Sequence, residues 1–301
     1  MCRGGMFGTA APAQADGGGA GLSETVYLNG SLVPYDQALI PFEDRGMLFA
    51  DGIYEVVRAY GGRLFELDAH MERLVASAAE IRLPPPPVQE IRRAVAEVLR
   101  LRGLPDASVY IQFTRGFTGP RSHALPQNPT PTLFVAARPV PRPDPTHFRD
   151  GATAITVSDR RWHMCHVKSV GLLLNTLAKQ EALDAGTQEA VFVRDGVVTE
   201  GSATNVFAVF GGAVYTHPEG PHILSGITRQ VLVELCRSQG IPLRQEPFLV
   251  QRLYAADEVF VSGTNSEVLP IRLVDGHAVG AGGVGPVTRR LQEVFARRVC
   301  S

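Results

Sequence analysis

The sequence predicts two α+β domains joined by a proline-rich connector. Short apolar stretches around Asn-Gly, Gly-Gly and Asp-Gly pairs indicate strand hairpins in both halves of the chain, and amphipathic helices separate these hairpins. This mixture favours antiparallel or mixed sheets over a doubly wound parallel sheet. Four prolines within 138–145 predict a stiff, extended stretch between the halves. A chain of 301 residues is long for one domain and comfortable for two.

Each element is predicted from the period of its apolar residues and from the glycine, proline or polar residues at its ends. In the first half we expect a hairpin over 25–34, a strand over 53–60 that returns at 64–65, helices over 68–81 and 88–101, and strands over 109–114 and 132–136. Asp68 is expected to cap the first of these helices. In the second half we expect strands over 152–157, 206–210 and 258–262, a hairpin over 189–199, and helices over 172–185, 228–239 and 286–298.

Composition along the chain predicts the domain bounds. Residues 1–23 are rich in glycine and alanine and lack the apolar core of a secretory signal, so we expect a disordered leader there. We expect residues 24–137 to form an N-terminal α+β domain and residues 148–301 a C-terminal α+β domain. Residues 138–147 would be the proline-rich linker between them.

Charge and cysteine usage exclude several classes of function. A formal net charge of -1, with no strongly basic segment, leaves no electrostatic footprint for nucleic acid or an anionic membrane. No apolar run approaches the roughly 20 residues that span a bilayer. The four cysteines are far apart, and no histidine lies at metal-binding spacing from them, so we expect neither disulfides nor a metal site. Reduced thiols favour a cytoplasmic protein.

Lysine is nearly absent from the chain. Of the 29 basic residues 27 are arginine, and only Lys168 and Lys179 are lysine. Arginine cannot form a Schiff base, whereas lysine can once its pKa is lowered. Either the two lysines are remnants of compositional drift, or at least one is required for chemistry. Lys168 lies in a loop before a predicted helix and can reach a cleft, whereas Lys179 lies within that helix on an expected solvated face. Lys168 is therefore the better candidate.

Three further segments place polar residues where predicted elements end. Glu200 follows a strand among small polar residues, which either hold its carboxylate inward or form an exposed, capped turn. Residues 224–229 open a helix whose first amides either bind a phosphate or are simply capped, and the donor-rich loop at Thr264 is equally ambiguous. Arg121 and His123 share a loop shaped by glycine and proline, which is either a carboxylate clamp or an exposed polar loop.

The order of these segments along the chain is more specific than any one of them. The relevant stretches are Glu43-Asp44-Arg45-Gly46, 51–57, His166-Val167-Lys168-Ser169, 177–182, 199–207, 215–218, 223–229 and 264–267. From about Thr25 onward the chain resembles the class IV pyridoxal-phosphate-dependent aminotransferases, and within them the D-amino acid (D-alanine) aminotransferase branch. The Arg121-x-His123 pattern matches that branch, and residues 169–173 lack the Gly-Asn-Tyr typical of branched-chain enzymes. The resemblance implies the two-domain α+β architecture of fold type IV, with pyridoxal 5'-phosphate bound by the C-terminal domain.

The resemblance also implies a role for each matching residue. Lys168 would hold the cofactor covalently and then move the substrate proton, and Glu200 would pair with the pyridine nitrogen so that the ring can withdraw electrons. The remaining roles would be phosphate binding by Arg73, Ile227, Thr228 and Thr264, ring packing by Leu224, and substrate-carboxylate binding by Tyr54, Arg121 and His123. The chain departs from the family pattern at Gly263, where a hydroxyl residue often lies beside the phosphate.

The implied function is transfer of the amino group of D-alanine or a related D-amino acid to 2-oxoglutarate by a ping-pong mechanism. A homodimer is also implied, with the loop of Arg121 and His123 entering from the neighbouring subunit. The alternatives within the class are a branched-chain L-amino acid aminotransferase, a 4-amino-4-deoxychorismate lyase and an (R)-amine transaminase. A non-catalytic cofactor-binding protein is the alternative outside it, and the intact set of Lys168, Glu200 and phosphate-binding residues argues against that function.

Overall fold

A computed structural model describes residues 24–117, 119–140 and 144–300. The predicted leader at 1–23 lies outside these residues, as does the centre of the predicted linker. The described chain forms two sheets with helices packed on them, which confirms the α+β class. The division into domains stays a prediction, and both ends of the 138–147 segment lie within regular structure. Among the described helices, none is both long enough and apolar enough to cross a membrane.

The first sheet has six strands and is antiparallel throughout, in the order β2-β1-β6-β5-β3-β4 of the strands defined next. Its elements are β1 (Thr25–Leu28), β2 (Ser31–Pro34), a 3-10 turn (Tyr35–Gln37), α1 (Arg45–Phe49), β3 (Gly52–Tyr60), β4 (Arg63–Leu64), α2 (Leu67–Glu80), α3 (Val88–Arg102), β5 (Ala107–Phe117) and β6 (Thr130–Pro139). Helices α2 and α3 bury Leu74 and Val95 against one face of this sheet, where Ile53 and Val57 lie. The other face of β3 is left for the site.

The second sheet has nine strands and is mixed. Its elements are α4 (Pro145–Asp150), β7 (Ala152–Ser158), α5 (Leu173–Asp184), β8 (Glu189–Arg194), β9 (Val197–Gly201), β10 (Asn205–Phe210), β11 (Ala213–Thr216), α6 (Ile227–Ser238), β12 (Leu243–Gln245), α7 (Val250–Tyr254), β13 (Glu258–Gly263), β14 (Glu267–Val274), β15 (His277–Ala278) and α8 (Pro286–Cys300). The main strand order is β12-β11-β10-β13-β14-β7-β8-β9, and β9 also pairs with β10. That return pairing sets Glu200 opposite Asn205.

The predicted elements lie within a few residues of those observed, with two informative differences. The cap predicted at Asp68 is wrong, because α2 already begins at Leu67 and Asp68 lies in its first turn. The cap position is Glu66, two residues earlier than expected, and its left-handed φ of 52° turns the chain into the helix. Strand β14 is absent from the predicted elements, because Pro270 interrupts its apolar pattern.

The two sheets are joined through the main chain of residues 168–170. The amide of Tyr54 in β3 donates a hydrogen bond to the carbonyl of Lys168 at 3.0 Å, and the amide of Val170 donates to the carbonyl of Gly52 at 3.0 Å. An isolated antiparallel bridge pairs Ile53 with Ser169 between them. The predicted lysine loop is therefore paired with a strand edge rather than free.

A buried carboxylate secures the last helix to the second sheet. Glu258 in β13 accepts hydrogen bonds from the amides of Val287 and Thr288 at 3.0 and 2.7 Å and from the Thr288 hydroxyl at 2.6 Å. These amides belong to the first turn of α8, where they have no partner within the helix. The negative charge of Glu258 also lies at the positive, N-terminal end of the helix dipole, where it is stabilising.

Replacing Glu258 with alanine should therefore lower the free energy of unfolding by about 2–3 kcal/mol, because buried amides lose a charged acceptor. Denaturant titration followed by circular dichroism measures this change. The matched control is Glu246→Ala at an exposed position, which should change stability by less than about 0.5 kcal/mol. Equal effects of the two substitutions would contradict this account of α8.

Candidate active site

A cleft of about 700 Å³ opens where the two sheets meet. All predicted site residues except Arg121 line it: Tyr54, Arg73, His123, Lys168, Glu200, Leu224, Ile227, Thr228 and Thr264. Arg121 lies beside the cleft, with its guanidinium over the ring of Phe49 at 4.7 Å from the ring centre. Phe49 itself lines the cleft, so the arginine is one aromatic ring away from it.

Lys168 is the lysine that lines this cleft. Its Nζ lies 4.0 Å from the centre of the Tyr54 ring, and its amide donates to the Ser77 hydroxyl at 3.2 Å. Lys179 is not the solvated residue expected from the sequence. It is half-buried, and its Nζ donates to the main-chain carbonyl of Gln188, which ties α5 to the start of β8. The structure therefore separates a lysine at the cleft from a lysine that supports packing.

One end of the cleft is rich in hydrogen-bond donors. Helix α6 begins after Gly226 without a side-chain cap, and its first residues, Ile227 and Thr228, line the cleft. Uncapped amides at a helix start attract anions, because the helix dipole is positive there. The buried Ser262 hydroxyl also lines the cleft and has no hydrogen-bond partner among the described residues. Such an orphaned donor indicates that a ligand supplies its acceptor.

Arg73 is fixed beside these donors by a buried carboxylate. Its Nε and Nη2 donate to Glu55 at 2.8 and 2.7 Å, and its Nη1 donates to the carbonyl of Ser225 at 2.8 Å. Glu55 also contacts Nδ1 of buried His70 at 2.7 Å. Burial by itself raises the pKa of Glu55, but the Arg73 and His70 partners prevail and lower it to about 2. Glu55 therefore stays charged and orients the arginine without being available for proton transfer.

The buried Glu200 also lines the cleft, next to the segment that leads into α6. Its carboxylate accepts hydrogen bonds from Arg161 Nη1 at 2.5 Å, from the Leu224 amide at 2.9 Å and from Asn205 Nδ2 at 3.3 Å. Arg161 is held in turn by Asp159, at 2.9 Å from Nε and 3.0 Å from Nη2. Burial raises the pKa of Glu200 to about 7, against the lowering effect of Arg161.

Several residues that complete the site carry no predicted role. Glu55 and Asn205 lie within stretches that the family resemblance includes. A buried charge such as that of Arg73 or Glu200 requires a polar partner, and this requirement could have identified both residues. Arg161 has no comparable signal, because it meets Glu200 across 39 residues of sequence. Ser262 is likewise hidden within the apolar pattern of β13.

The donor set fits pyridoxal 5'-phosphate. The cleft brings together an amine, a carboxylate that can face a ring nitrogen, and a group of amides and hydroxyls that can bind a phosphate. The orphaned Ser262 hydroxyl and the uncapped start of α6 are explained by such a ligand. Over the described ranges, no group of three or more His, Cys, Asp or Glu residues is arranged to hold a metal ion.

Comparison with known proteins agrees with this geometry. Residues 52–274 match the profile of the amino-transferase class IV family. The chain therefore belongs to the class IV aminotransferases, which are pyridoxal-phosphate-dependent transaminases, and the predicted resemblance is confirmed.

Individual relatives fall into two groups. The chain is 43% identical over 276 residues to a D-alanine aminotransferase of Staphylococcus haemolyticus, covering 91% of this chain and 97% of the relative. Among solved structures, it is similar to the branched-chain aminotransferase of Thermoproteus uzoniensis with norvaline, at 31% identity and a TM-score of 0.85, covering 92% of this chain and 95% of the other. A branched-chain enzyme of Escherichia coli gives 29% identity and a TM-score of 0.85, with coverages of 92% and 94%.

The raised pKa of Glu200 predicts a pH dependence of stability. A carboxyl with a higher pKa in the folded than in the unfolded chain binds more protons when folded. Its contribution to the free energy of unfolding is therefore lost as the pH rises from the ordinary value of 4.5 to about 7. In the cofactor-free protein, Glu200→Gln should flatten this decline by up to about 1.4 kcal/mol per pH unit. Denaturant titrations across this window measure it, and parallel pH profiles for the two proteins would refute the prediction.

Proposed function

We propose that this protein binds pyridoxal 5'-phosphate and transfers the amino group of D-alanine, or a related D-amino acid, to 2-oxoglutarate by a ping-pong mechanism. Lys168, Glu200 and the donor-rich start of α6 face one cleft, and this convergence carries the transaminase part of the proposal. The 43% identity to a protein named D-alanine aminotransferase supports the choice of substrate.

Each end of the cleft would hold a different part of the cofactor. The amides of Ile227 and Thr228, the Thr264 hydroxyl and the Arg73 guanidinium would bind the phosphate, with Leu224 against the ring. Glu200, fixed by its three donors, would face the ring nitrogen and favour its protonated form. When bound, the cofactor supplies an electron sink that makes a Cα proton of the substrate removable.

Lys168 would move that proton. Its main chain is fixed by hydrogen bonds to Ser77 and Tyr54, and its Nζ lies over the Tyr54 ring at the cleft. An amine that approaches from one face removes a proton only from the enantiomer whose Cα hydrogen points to that face. The side on which the substrate carboxylate binds therefore decides between D- and L-amino acids.

We assign carboxylate binding to Tyr54, His123 and Arg121. Tyr54 and His123 line the cleft, and the arginine and histidine both lie against the ring of Phe49. A guanidinium and an imidazole two residues apart can bind one carboxylate together. Arg121 would reach the substrate by moving off the Phe49 ring or, in a homodimer, by serving the neighbouring cleft.

A homodimer is part of the proposal. The segment from the end of β2 to α1 exposes Leu39 at 79%, Phe42 at 70% and Met47 at 71%. A single chain rarely exposes several large apolar side chains in one short segment, and such a surface is typical of an interface. Sedimentation velocity tests this assignment, and a monomer at micromolar concentration would oppose it.

A branched-chain L-amino acid aminotransferase is the second candidate. It is favoured by the names of the two solved structures that the chain resembles, each at a TM-score of 0.85. Their sequence identities of 29% and 31% are lower than the 43% shared with the D-alanine enzyme. Because one fold accommodates both activities, likeness of fold does not select the substrate, and the higher overall identity favours the D-alanine activity.

The visible absorption of the purified holoenzyme, titrated separately with D-alanine, L-alanine and L-leucine, tests the function. D-alanine alone should abolish the band of the lysine-bound cofactor, and later addition of 2-oxoglutarate should restore it. Lys168→Ala should lack that band and lose at least about a thousandfold in activity. A response to L-leucine but to neither alanine would instead establish the branched-chain activity.

Gly263 supplies a second test of the phosphate site. A Cβ at this position would meet the Ala203 carbonyl at 3.3 Å, so a serine fits after a shift of a few tenths of an ångström. Gly263→Ser should tighten cofactor binding about fivefold, the effect of one added hydrogen bond, whereas the matched Gly263→Ala should not. Fluorescence of Trp162, the single tryptophan, reports binding because this residue lines the cleft. Equal affinities of the serine and alanine variants would place the phosphate elsewhere.

A further inference from the structure

Arg45 is a buried arginine that the proposed chemistry does not use. It is the first residue of α1, only 5% exposed, and it lines the cleft. Burying a guanidinium costs desolvation free energy, which ion pairs and hydrogen bonds must offset. The partners of Arg45 therefore indicate what the residue does.

The Arg45 guanidinium binds the main chain on both sides of His123. Its Nη1 donates to the carbonyl of Ser122 at 2.6 Å and to the carbonyl of Ala124 at 3.4 Å. Residues 121–125 are all exposed, so burial in a core does not fix their conformation. Within the described part of the chain, Arg45 is the residue that donates hydrogen bonds to their carbonyls.

Phe49, one turn later in α1, connects Arg45 to the side chains of the same loop. The Arg45 guanidinium lies 4.6 Å from the centre of the Phe49 ring, and the Arg121 guanidinium lies 4.7 Å from it. The His123 ring is tilted against the same phenyl group at 5.3 Å between centres. Both proposed carboxylate-binding side chains thus rest on one ring that Arg45 also contacts.

Asp51 keeps Arg45 in this orientation. It accepts a hydrogen bond from Arg45 Nε at 2.8 Å and two from Arg115, at 2.7 Å from Nε and 3.0 Å from Nη2. Arg115 is itself fixed, because it donates to the carbonyls of Ile81 and Arg82 beyond the end of α2. Burial opposes ionisation of Asp51, but the two arginines lower its pKa, so the carboxylate remains charged.

We infer that Arg45 is a positioning residue for substrate binding, which holds the loop of Arg121 and His123 in the geometry that binds the substrate carboxylate. The inference rests on the proposed function. All of these contacts lie within one chain, so Arg45 would orient the loop for whichever cleft of a dimer the loop completes. Arg45 would then affect the affinity for amino and 2-oxo acids without affecting the cofactor.

Arg45→Lys in the holoenzyme tests this role, because lysine keeps the charge but cannot bind Asp51 and two carbonyls in the same planar geometry. The KM for D-alanine should rise about tenfold, the loss expected for one charge-assisted hydrogen bond, with kcat within about twofold. The cofactor Kd from Trp162 fluorescence should not change. Arg138→Lys is the matched control at an exposed ion pair and should change none of these values.

A double-mutant cycle separates positioning from general stabilisation. If Arg45 acts through the loop, Arg45→Lys should raise KM by less than about twofold in a chain that already carries Arg121→Ala and His123→Ala. The same tenfold rise in that background would overturn the inference, as would a weakened cofactor Kd. Should Arg45→Lys not fold, Phe49→Leu is the second variant, because it removes the shared ring. It should raise KM about threefold in the wild-type background and much less in the chain that carries Arg121→Ala and His123→Ala.

The outcomes also separate this inference from the proposed function. If the wild-type holoenzyme converts D-alanine but Arg45→Lys leaves KM unchanged, only the role of Arg45 is refuted. If the wild-type holoenzyme converts no D-amino acid, the proposed function fails and the inference fails with it.

Discussion

The main-chain pairing of residues 168–170 with β3 is the constraint on which the rest of the cleft depends. It joins the two sheets at the residue whose amine faces the cleft, through hydrogen bonds to Gly52 and Tyr54. Backbone hydrogen bonds between a loop and a strand fix position far better than side-chain contacts do, because they leave no rotamer freedom. The start of α6, Glu200 and Tyr54 line the same cleft as this paired segment.

Around this segment three carboxylates that are buried or nearly so are each matched by arginine. Glu55 orients Arg73, Glu200 accepts from Arg161, and Asp51 binds Arg45 and Arg115. Unpaired, each of these charges would cost several kcal/mol. Arginine suits such pairs, because its planar group binds a carboxylate with two hydrogen bonds and stays protonated. These properties are a physical reason for arginine at the paired positions. The cations that neutralise carboxylates are then a different residue type from Lys168, whose amine faces the cleft.

The solved branched-chain enzymes and the D-alanine relatives show how little of the substrate choice the fold determines. The framework of two sheets is common to this chain and the branched-chain enzymes of Escherichia coli and Thermoproteus uzoniensis, with a TM-score of 0.85 for each. What differs within such a class lies in loops, which tolerate change because few core contacts depend on them. The 121–125 loop fits this description: it is exposed, and its conformation depends on a few polar contacts and one aromatic ring.

The sequence by itself determined the α+β class, most of the strands and helices, and the family, because hydrophobic period and motif order are short-range properties of the chain. It also singled out Lys168, the lysine that lines the cleft. The tertiary structure decided which buried partners complete the cleft. Arg161 meets Glu200 across 39 residues and Arg45 meets Ser122 across 77, so both contacts depend on how distant segments pack. No local pattern encodes such a meeting, because it exists only once strands, loops and helices have been brought together.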